Sequence, residues 1–240
     1  MIPAPAFLAN PERFMAFSRW AAPMFGVLAL ALAAVGLSLG LRAPADYQQG
    51  LTVQIMFIHV PAAVMAMFVY ACLGVASLLA LVFRHMLADC AAQAAAWLGT
   101  GFTFLALVTG SLWGRPMWGA WWVWDARLTS VLILFLLYVA YLALRASIDD
   151  EAKAARAAAI LGLVGLVILP IIHFSVYWWN SLHQGSSMFT KGALDPAFAK
   201  PLFLMLLAYL SGFGSLWLVR IRGEVWRRRA EAAAVRAARG

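Results

Sequence analysis

Charged residues are scarce in this chain of 240 residues. Asp, Glu, Lys and Arg make up 12% of it, whereas hydrophobic residues make up 65% and the mean hydropathy is +0.85. Soluble proteins are about 25% charged and about 45–50% apolar. The ten acidic and eighteen basic side chains cannot cover the surface of a soluble globule of this size. The composition therefore excludes a water-soluble globular protein and indicates an integral membrane protein.

Cysteine is scarce as well. Cys72 lies inside an apolar run, Cys90 begins the next one, and no CxxC pair is present. This excludes a framework of disulfides. We interpret both thiols as packing residues, because a free cysteine behaves as a small hydrophobic side chain.

Six stretches without charge are long enough to cross a membrane. The hydrocarbon layer is about 30 Å thick and takes about 20 helical residues to cross. The spans are predicted at about 21–41, 53–83, 90–112, 128–144, 157–179 and 201–219. Charged residues precede the first span, so we expect a retained anchor and not a cleaved signal peptide. The sequence predicts an all-α integral membrane protein with six transmembrane helices, as a single domain over residues 1–240.

The distribution of Lys and Arg orients this arrangement. The terminal tails and the loops at 84–89 and 145–156 hold thirteen of them, and the three opposite loops hold five. The positive-inside rule then places both termini in the cytoplasm. The imbalance also accounts for a pI near 10.1 without a nucleic-acid partner. We expect the basic tail, residues 220–240 with seven Arg, to lie on anionic lipid headgroups.

Tryptophan is concentrated in the outer loop at 113–127, which holds five of the eleven in the chain. A membrane interface accounts for one or two of them. If the loop is helical, three indoles and a carboxylate fall on one face, at Trp118, Trp121, Trp122 and Asp125. Such a face is a flat apolar platform for a planar aromatic ligand. Arg115 or Arg127 could meet acidic groups of that ligand at its edge.

Two histidines are predicted on the same outer side. His183 follows the fifth span directly. His59 lies in the charge-free run Leu51–Phe83, whose 33 residues would measure about 50 Å as a helix. Counting back about 20 residues from the inner end of that run reaches Val64. His59 then stands about one turn outside the hydrocarbon, and Pro61 can bend the helix there.

The convergence of two imidazoles with the tryptophan cluster favours a haem site. Imidazole is a common axial ligand of haem iron, and a porphyrin is a flat apolar disc with two carboxylates. His173, in the fifth span after Pro170, could line the cavity or bond a freed backbone carbonyl. It ranks lower because no dense aromatic cluster lies at its depth. For His85, beside Arg84 in a short cytoplasmic loop, we expect a solvated or lipid-facing position.

The string WGAWWVWDARLT at residues 118–129 resembles the tryptophan-rich WWD signature of haem-handling proteins in cytochrome c biogenesis. The chain also has six predicted spans, one such outer loop and a histidine in each flanking outer segment. In these features it resembles the cytochrome c maturation protein C (CcmC) family, and the resemblance covers essentially the whole chain. The resemblance implies that haem b is held transiently and without a covalent bond at the periplasmic face of the bacterial inner membrane. The implied axial ligands are His59 and His183. The implied haem-contacting residues are Trp118, Trp121, Trp122, Trp124, Asp125 and Arg127.

The same resemblance implies partners. In that family haem passes to the periplasmic chaperone CcmE, and the other components are the ATP-binding cassette proteins CcmA and CcmB and the small protein CcmD. This chain has no GxxxxGK[ST] loop, so ATP hydrolysis is expected in the partners and not here. It has no CxxCH motif, so it cannot retain haem as a c-type cytochrome does. We therefore expect a haem-transfer protein and not an enzyme.

Two other functions are less well supported. A cytochrome b-like electron-transfer subunit would pair histidines inside the hydrocarbon, and His173 is the one clearly mid-span histidine. A secondary transporter would usually need charged groups inside the spans. An intramembrane protease would need a nucleophile motif, which the small residues at 185–187 do not form.

Overall fold

The computed structural model describes residues 10–183 and 194–238, in which regular structure is helical apart from one antiparallel bridge between Asp46 and Gly50. Residues 1–9, 184–193 and 239–240 lie outside the described part. They include Lys191 of the outer loops and the small residues at 185–187. The helices are α1 (Pro11–Gly40), α2 (Met56–Phe83), α3 (Met86–Trp118), α4 (Ala126–Ser147), α5 (Glu151–Val164), α6 (Ile168–Trp178) and α7 (Pro196–Ala237). Short 3₁₀ turns occupy Leu51–Ile55 and Gly165–Val167.

Six helical segments in the described residues are long and apolar enough to cross a membrane. Two of them join neighbouring elements, because the first 3₁₀ turn continues into α2 and the second links α5 to α6. This confirms an all-α chain with six helices able to span a membrane.

The helices extend beyond the charge-free stretches. α3 runs on to Trp118, and α7 continues without a break to Ala237, so that most of the basic tail belongs to one 42-residue helix. A charge-free stretch marks the part of a helix that can lie in hydrocarbon, whereas the helix itself ends only at a stop signal. For α3 that signal is Gly119, whose φ of 76° is left-handed and suits glycine.

The fifth span is interrupted near its middle. Pro170 has no N–H to donate to the carbonyl of Leu166, so the regular α-helical bonding cannot continue through this point. The chain forms the 3₁₀ turn Gly165–Val167 instead, and α6 follows at once. α6 then leads on to the segment that carries His183.

The core lies between α2, α3, α4 and the fifth span. Three tyrosines at its centre, Tyr70, Tyr138 and Tyr141, are almost fully buried. The Tyr138 hydroxyl donates to the carbonyl of Ala66 at 2.8 Å, which ties α4 to α2. Tyr70 packs edge to face on Tyr138, and its hydroxyl lies where a Cβ at position 165 would stand. Glycine at that position permits this close approach.

A buried ion cluster closes the end of the bundle where α3 begins. Asp89 of α3 pairs with Arg145 of α4 at 2.9 Å and with Arg228 of α7. Both arginine side chains are largely buried, as is the Asp89 carboxylate. Three helices are therefore held together at the end opposite to Trp118.

The consecutive arginines of the tail have carboxylate partners in the chain. Arg227 and Arg228 both bond Glu224, at 2.6 and 2.9 Å, and Arg229 bonds Glu12 at the start of α1 at 2.7 Å. The sequence interpretation named lipid headgroups as their partners. It missed Glu224, which lies three and four residues before Arg227 and Arg228, a spacing that favours ion pairs on one helix face. Glu12 comes near through folding and has no local sequence signal. Contact of the tail with anionic lipid stays a prediction.

Candidate haem-binding site

One cavity at the outer-loop end of the bundle is shared by both predicted histidine ligands. It has a volume of about 80 Å³ and lies between α2, α3, α4 and α6. His59, His183, Trp122 and Arg127 all line it, and its deeper wall consists of small or apolar side chains such as Ala66. Two residues separated by 124 positions in the chain thus contribute imidazoles to one small space.

His59 stands in the first turn of α2 and faces α3. Its Nδ1 lies 3.1 Å from the hydroxyl oxygen of Thr109. The indole of Trp113 meets the ring edge to face, with centroids 5.6 Å apart. The indole of Trp113 is held in turn by Gln49, which lies in the connection between α1 and α2. Trp113 Nε1 donates to Gln49 Oε1 at 3.0 Å.

His183 is positioned by Asp125. One carboxylate oxygen of Asp125 caps α4 by accepting from the Leu128 N–H at 2.7 Å, and the other accepts from the Ser181 hydroxyl at 2.5 Å. That second oxygen lies 3.6 Å from His183 Nδ1. Ser181 also accepts from the His183 N–H at 3.1 Å, so the short segment after α6 is fixed to the start of α4.

Burial sets the charge of His183. Its pKa is lowered mainly by loss of solvent, a shift that the nearby Asp125 carboxylate opposes without reversing. The imidazole is therefore neutral near pH 7, which is the form that binds iron. Trp118 packs edge to face against this ring, with centroids 4.9 Å apart.

The predicted helical stripe of tryptophans is wrong. Gly119 ends α3, and the chain stays irregular until Asp125 caps α4 in an extended conformation. A helix stop and a helix start lie six residues apart, and these signals override the helical spacing. The indoles of Trp121 and Trp124 are 56% and 75% exposed, whereas Trp122 turns into the cavity.

Two polar groups at the cavity lack a hydrogen-bond partner within the described residues. They are Nε1 of Trp122 and Nδ1 of His183, and both atoms are buried. A buried polar atom without a partner is costly, so Nε1 of Trp122 is a place where a bound molecule can make a bond, whereas Nδ1 of His183 faces the Asp125 carboxylate at 3.6 Å.

The two arginines beside the tryptophans differ in what they contact. Arg115 turns away from the cavity and donates to the carbonyl of Gly119, the residue that ends α3. Arg127 lines the cavity and donates to the Ser175 hydroxyl at 3.0 Å. Because Arg127 lines the cavity, its charge is available there to a carboxylate of a ligand.

The other two histidines lie outside the site. The His173 side chain is exposed and packs on Phe174, and only its backbone carbonyl reaches Arg127, at 3.5 Å. It therefore does not line the cavity. His85 is half-buried and caps α3, since its Nδ1 accepts from the Ala88 N–H at 3.3 Å. The sequence interpretation of His85 as solvated or lipid-facing missed this cap.

Comparison with known proteins gives the family. The family model described as Heme exporter protein C matches residues 5–236. The chain belongs to the heme exporter protein C (CcmC) family. Among similar curated proteins is Heme exporter protein C of Bradyrhizobium diazoefficiens, 54% identical over 224 residues, which are 92% of this chain and 85% of that protein.

Two other relatives carry the same name. Heme exporter protein C of Escherichia coli K12 is 48% identical over 219 residues, covering 91% of this chain and 89% of its own length. That of Paracoccus denitrificans is 42% identical over 224 residues, with 92% and 93% covered. Membership of the CcmC family thus extends over almost the whole chain.

Sequence reasoning missed the hydroxyls that position the site residues in this CcmC family member. Thr109 lies against His59, Ser181 bonds Asp125 and the His183 N–H, and Ser175 accepts from Arg127. They are isolated hydroxyls in or beside apolar helices, and they show no spacing pattern. Within the described residues, no group of three His, Cys, Asp or Glu could hold a bare metal ion. Two imidazoles on one cavity instead fit an iron whose other ligands come from a macrocycle.

Proposed function

We propose that this protein binds haem between His59 and His183 and presents it to the chaperone CcmE at the periplasmic face of the bacterial inner membrane. The observation that carries the proposal is the cavity shared by the two imidazoles. Haem iron takes two axial ligands, and neutral imidazole is among the commonest. Membership of a family whose members are named heme exporters supports the same ligand.

The donor groups around the cavity suit haem. The macrocycle is apolar and offers two propionates, and Arg127 can pair with a propionate through charge-assisted bonds. The unpartnered Nε1 of Trp122 is a further donor for it. Apolar side chains on the deeper wall, such as Leu134 and Ile172, suit the edge of the ring that carries no charge.

The small size of the cavity favours transient binding. Pockets that enclose ligands of drug size measure about 300–1,000 Å³, whereas this cavity measures about 80 Å³. Haem is therefore held with part of the ring outside, beside the exposed indoles of Trp121 and Trp124. A haem b that is exposed at one edge and has no covalent bond can be handed to a partner.

The orientation and the remaining partners complete the proposal. The excess of Lys and Arg on one side of the spans supports cytoplasmic termini, and hence a periplasmic position for the histidine end. ATP hydrolysis belongs to CcmA and CcmB, and CcmD accompanies the complex. A single cysteine introduced at Tyr47, which is exposed in the segment between α1 and α2, should react with a membrane-impermeant maleimide in whole cells. No reaction until the cells are broken would contradict this orientation.

Haem content and the absorption spectrum of the purified protein test the ligands. We expect His59→Ala and His183→Ala each to retain at most about a tenth of the haem, in line with losses on weakening a metal site. His173→Ala is the matched control, since its side chain lies outside the cavity, and it should equal the wild type. Unchanged haem and spectra in both ligand variants would refute the assignment.

Transfer needs a separate measurement. Trp121→Ala and Trp124→Ala remove exposed indoles beside the cavity, so we expect haem to be retained while loading of CcmE falls. Trp122→Ala and Asp125→Ala should impair both steps. Trp226→Ala removes a similarly exposed indole near the other end of the bundle and should leave loading unchanged. Equal loading by all four loop variants would show that the WWD loop does not present haem.

A further inference from the structure

We propose that Thr109 is a positioning residue for the haem iron: its hydroxyl oxygen accepts the Nδ1 proton of His59 and thereby leaves Nε2 unprotonated to bind the metal. This inference rests on the proposed function, because it concerns one of the two ligands. It adds a residue that neither the WWD loop nor the histidine pair includes.

The hydrogen bonds of Thr109 decide which imidazole nitrogen carries the proton. The hydroxyl lies 2.6 Å from the backbone carbonyl of Leu105, one turn earlier in α3, and a carbonyl can only accept. The single hydroxyl hydrogen is therefore used in that bond. Toward His59 the same oxygen can only accept, so His59 Nδ1, at 3.1 Å, is the donor. A neutral imidazole with its proton on Nδ1 has its lone pair on Nε2.

One turn of α3 also fixes where the ring stands. A Cβ on Gly110 would lie 2.9 Å from His59 Cε1, closer than side-chain atoms normally approach, so only glycine leaves room for the ring. Trp113, one turn further along, covers the ring from the side. The hydroxyl, the glycine and the indole together hold the imidazole of His59 in one orientation against α3.

The bond has a chemical consequence for the iron. An imidazole that donates its second N–H becomes a more basic ligand, which is why the groups behind metal-bound histidines affect affinity and potential. A more basic ligand favours ferric over ferrous iron. Loss of the Thr109 acceptor should therefore weaken haem binding and raise the midpoint potential of the bound haem.

Thr109→Val tests this with little change in shape. We expect haem affinity to fall by about tenfold, the midpoint potential to rise and the low-spin ferric spectrum to change. Thr109→Ser keeps the hydroxyl and should restore all three. The matched control is Thr103→Val, because Thr103 makes the same bond to a carbonyl one turn back in α3, to Gly99 at 2.7 Å, but hydrogen-bonds no histidine.

The outcomes separate the inference from the proposed function. If Thr109→Val equals the wild type in affinity, potential and spectrum, Thr109 does not position the ligand. If Thr103→Val changes the haem as much as Thr109→Val, or Thr109→Ser fails to restore it, the effect comes from the helix and the inference is wrong. If His59→Ala itself leaves haem binding unchanged, the proposed function fails, and the inference fails with it.

Discussion

Replacing Asp125 by Asn should separate the two roles of this carboxylate. As the N-cap of α4 it accepts from the Leu128 N–H, and toward His183 it presents a second oxygen that is an acceptor only. In the Asn variant the amide oxygen can keep the cap. The amide nitrogen then stands where the second oxygen was, facing Ser181 and His183, and it donates.

The expected changes in stability and in haem affinity follow from replacing an acceptor oxygen by a donor nitrogen. Asn and Asp are equally good N-caps, so the free energy of unfolding should change by less than about 0.5 kcal/mol. A donor facing His183 Nδ1 favours the tautomer with its proton on Nε2, the nitrogen that has to bind iron. Groups behind a ligating histidine contribute about 10–100-fold to metal affinity, which corresponds to about 1.4–2.8 kcal/mol. Haem binding should therefore weaken by that amount in a protein of unchanged stability.

The assay is a haem titration of the detergent-purified protein, with a thermal unfolding curve on the same sample. Asp125→Ala is the comparison, since it removes the cap as well and should cost about 1 kcal/mol of stability. If Asp125→Asn binds haem like the wild type while Asp125→Ala does not, the carboxylate acts only as a cap. Asp125 would then not select the tautomer of His183.

Three further changes test the packing and the charges. Gly165→Ala places a methyl group against the buried Tyr70 side chain and should destabilise the protein by about 1–3 kcal/mol. Tyr70→Phe in the same chain removes the closest atom and should recover part of this loss in thermal unfolding, and no recovery would contradict the contact. Asp89→Asn removes the buried carboxylate between Arg145 and Arg228 and should cost about 1–3 kcal/mol, because Arg228 keeps Glu224 at 2.9 Å and Arg145 keeps Glu151 at 3.9 Å. The exposed Glu231→Gln should cost less than about 1 kcal/mol, and equal losses would refute the buried cluster. Burial lowers the pKa of His183 in the folded protein below its ordinary value of 6.5. As the pH falls, the His183 imidazole is therefore protonated in unfolded chains before it is protonated in folded ones, which favours unfolding. Haem retention and stability should then be level above about pH 6.5 and fall below it, and a loss of haem that begins above about pH 7 would contradict a neutral buried ligand.

The helices and the histidines could be predicted because their signals are local. A charge-free stretch is visible within about 20 residues, and the length of the run containing His59 was enough to place it near a helix end. His59 and His183 do share a cavity. The role of these residues as ligands stays a prediction.

The rest of the site depends on bonds between distant positions. Thr109 lies 50 residues from His59, and Ser181 lies 56 residues from Asp125, so neither bond has a signal in the sequence. The prediction that the tryptophan loop is helical was wrong for a different reason. Helical spacing was applied across Gly119 and Asp125, which are themselves a stop and a start signal and could have been recognised as such.

The small cavity has a consequence for how tightly any large ligand can be held. A ring wider than the gap between the walls must first push them apart, and the packing energy of the closed walls is subtracted from the binding free energy. Each 1.4 kcal/mol needed for opening weakens the apparent affinity about tenfold. When the ligand leaves, the walls close and recover that packing energy, so closure favours departure. A cavity that is small at rest thus favours the release of a ligand larger than itself.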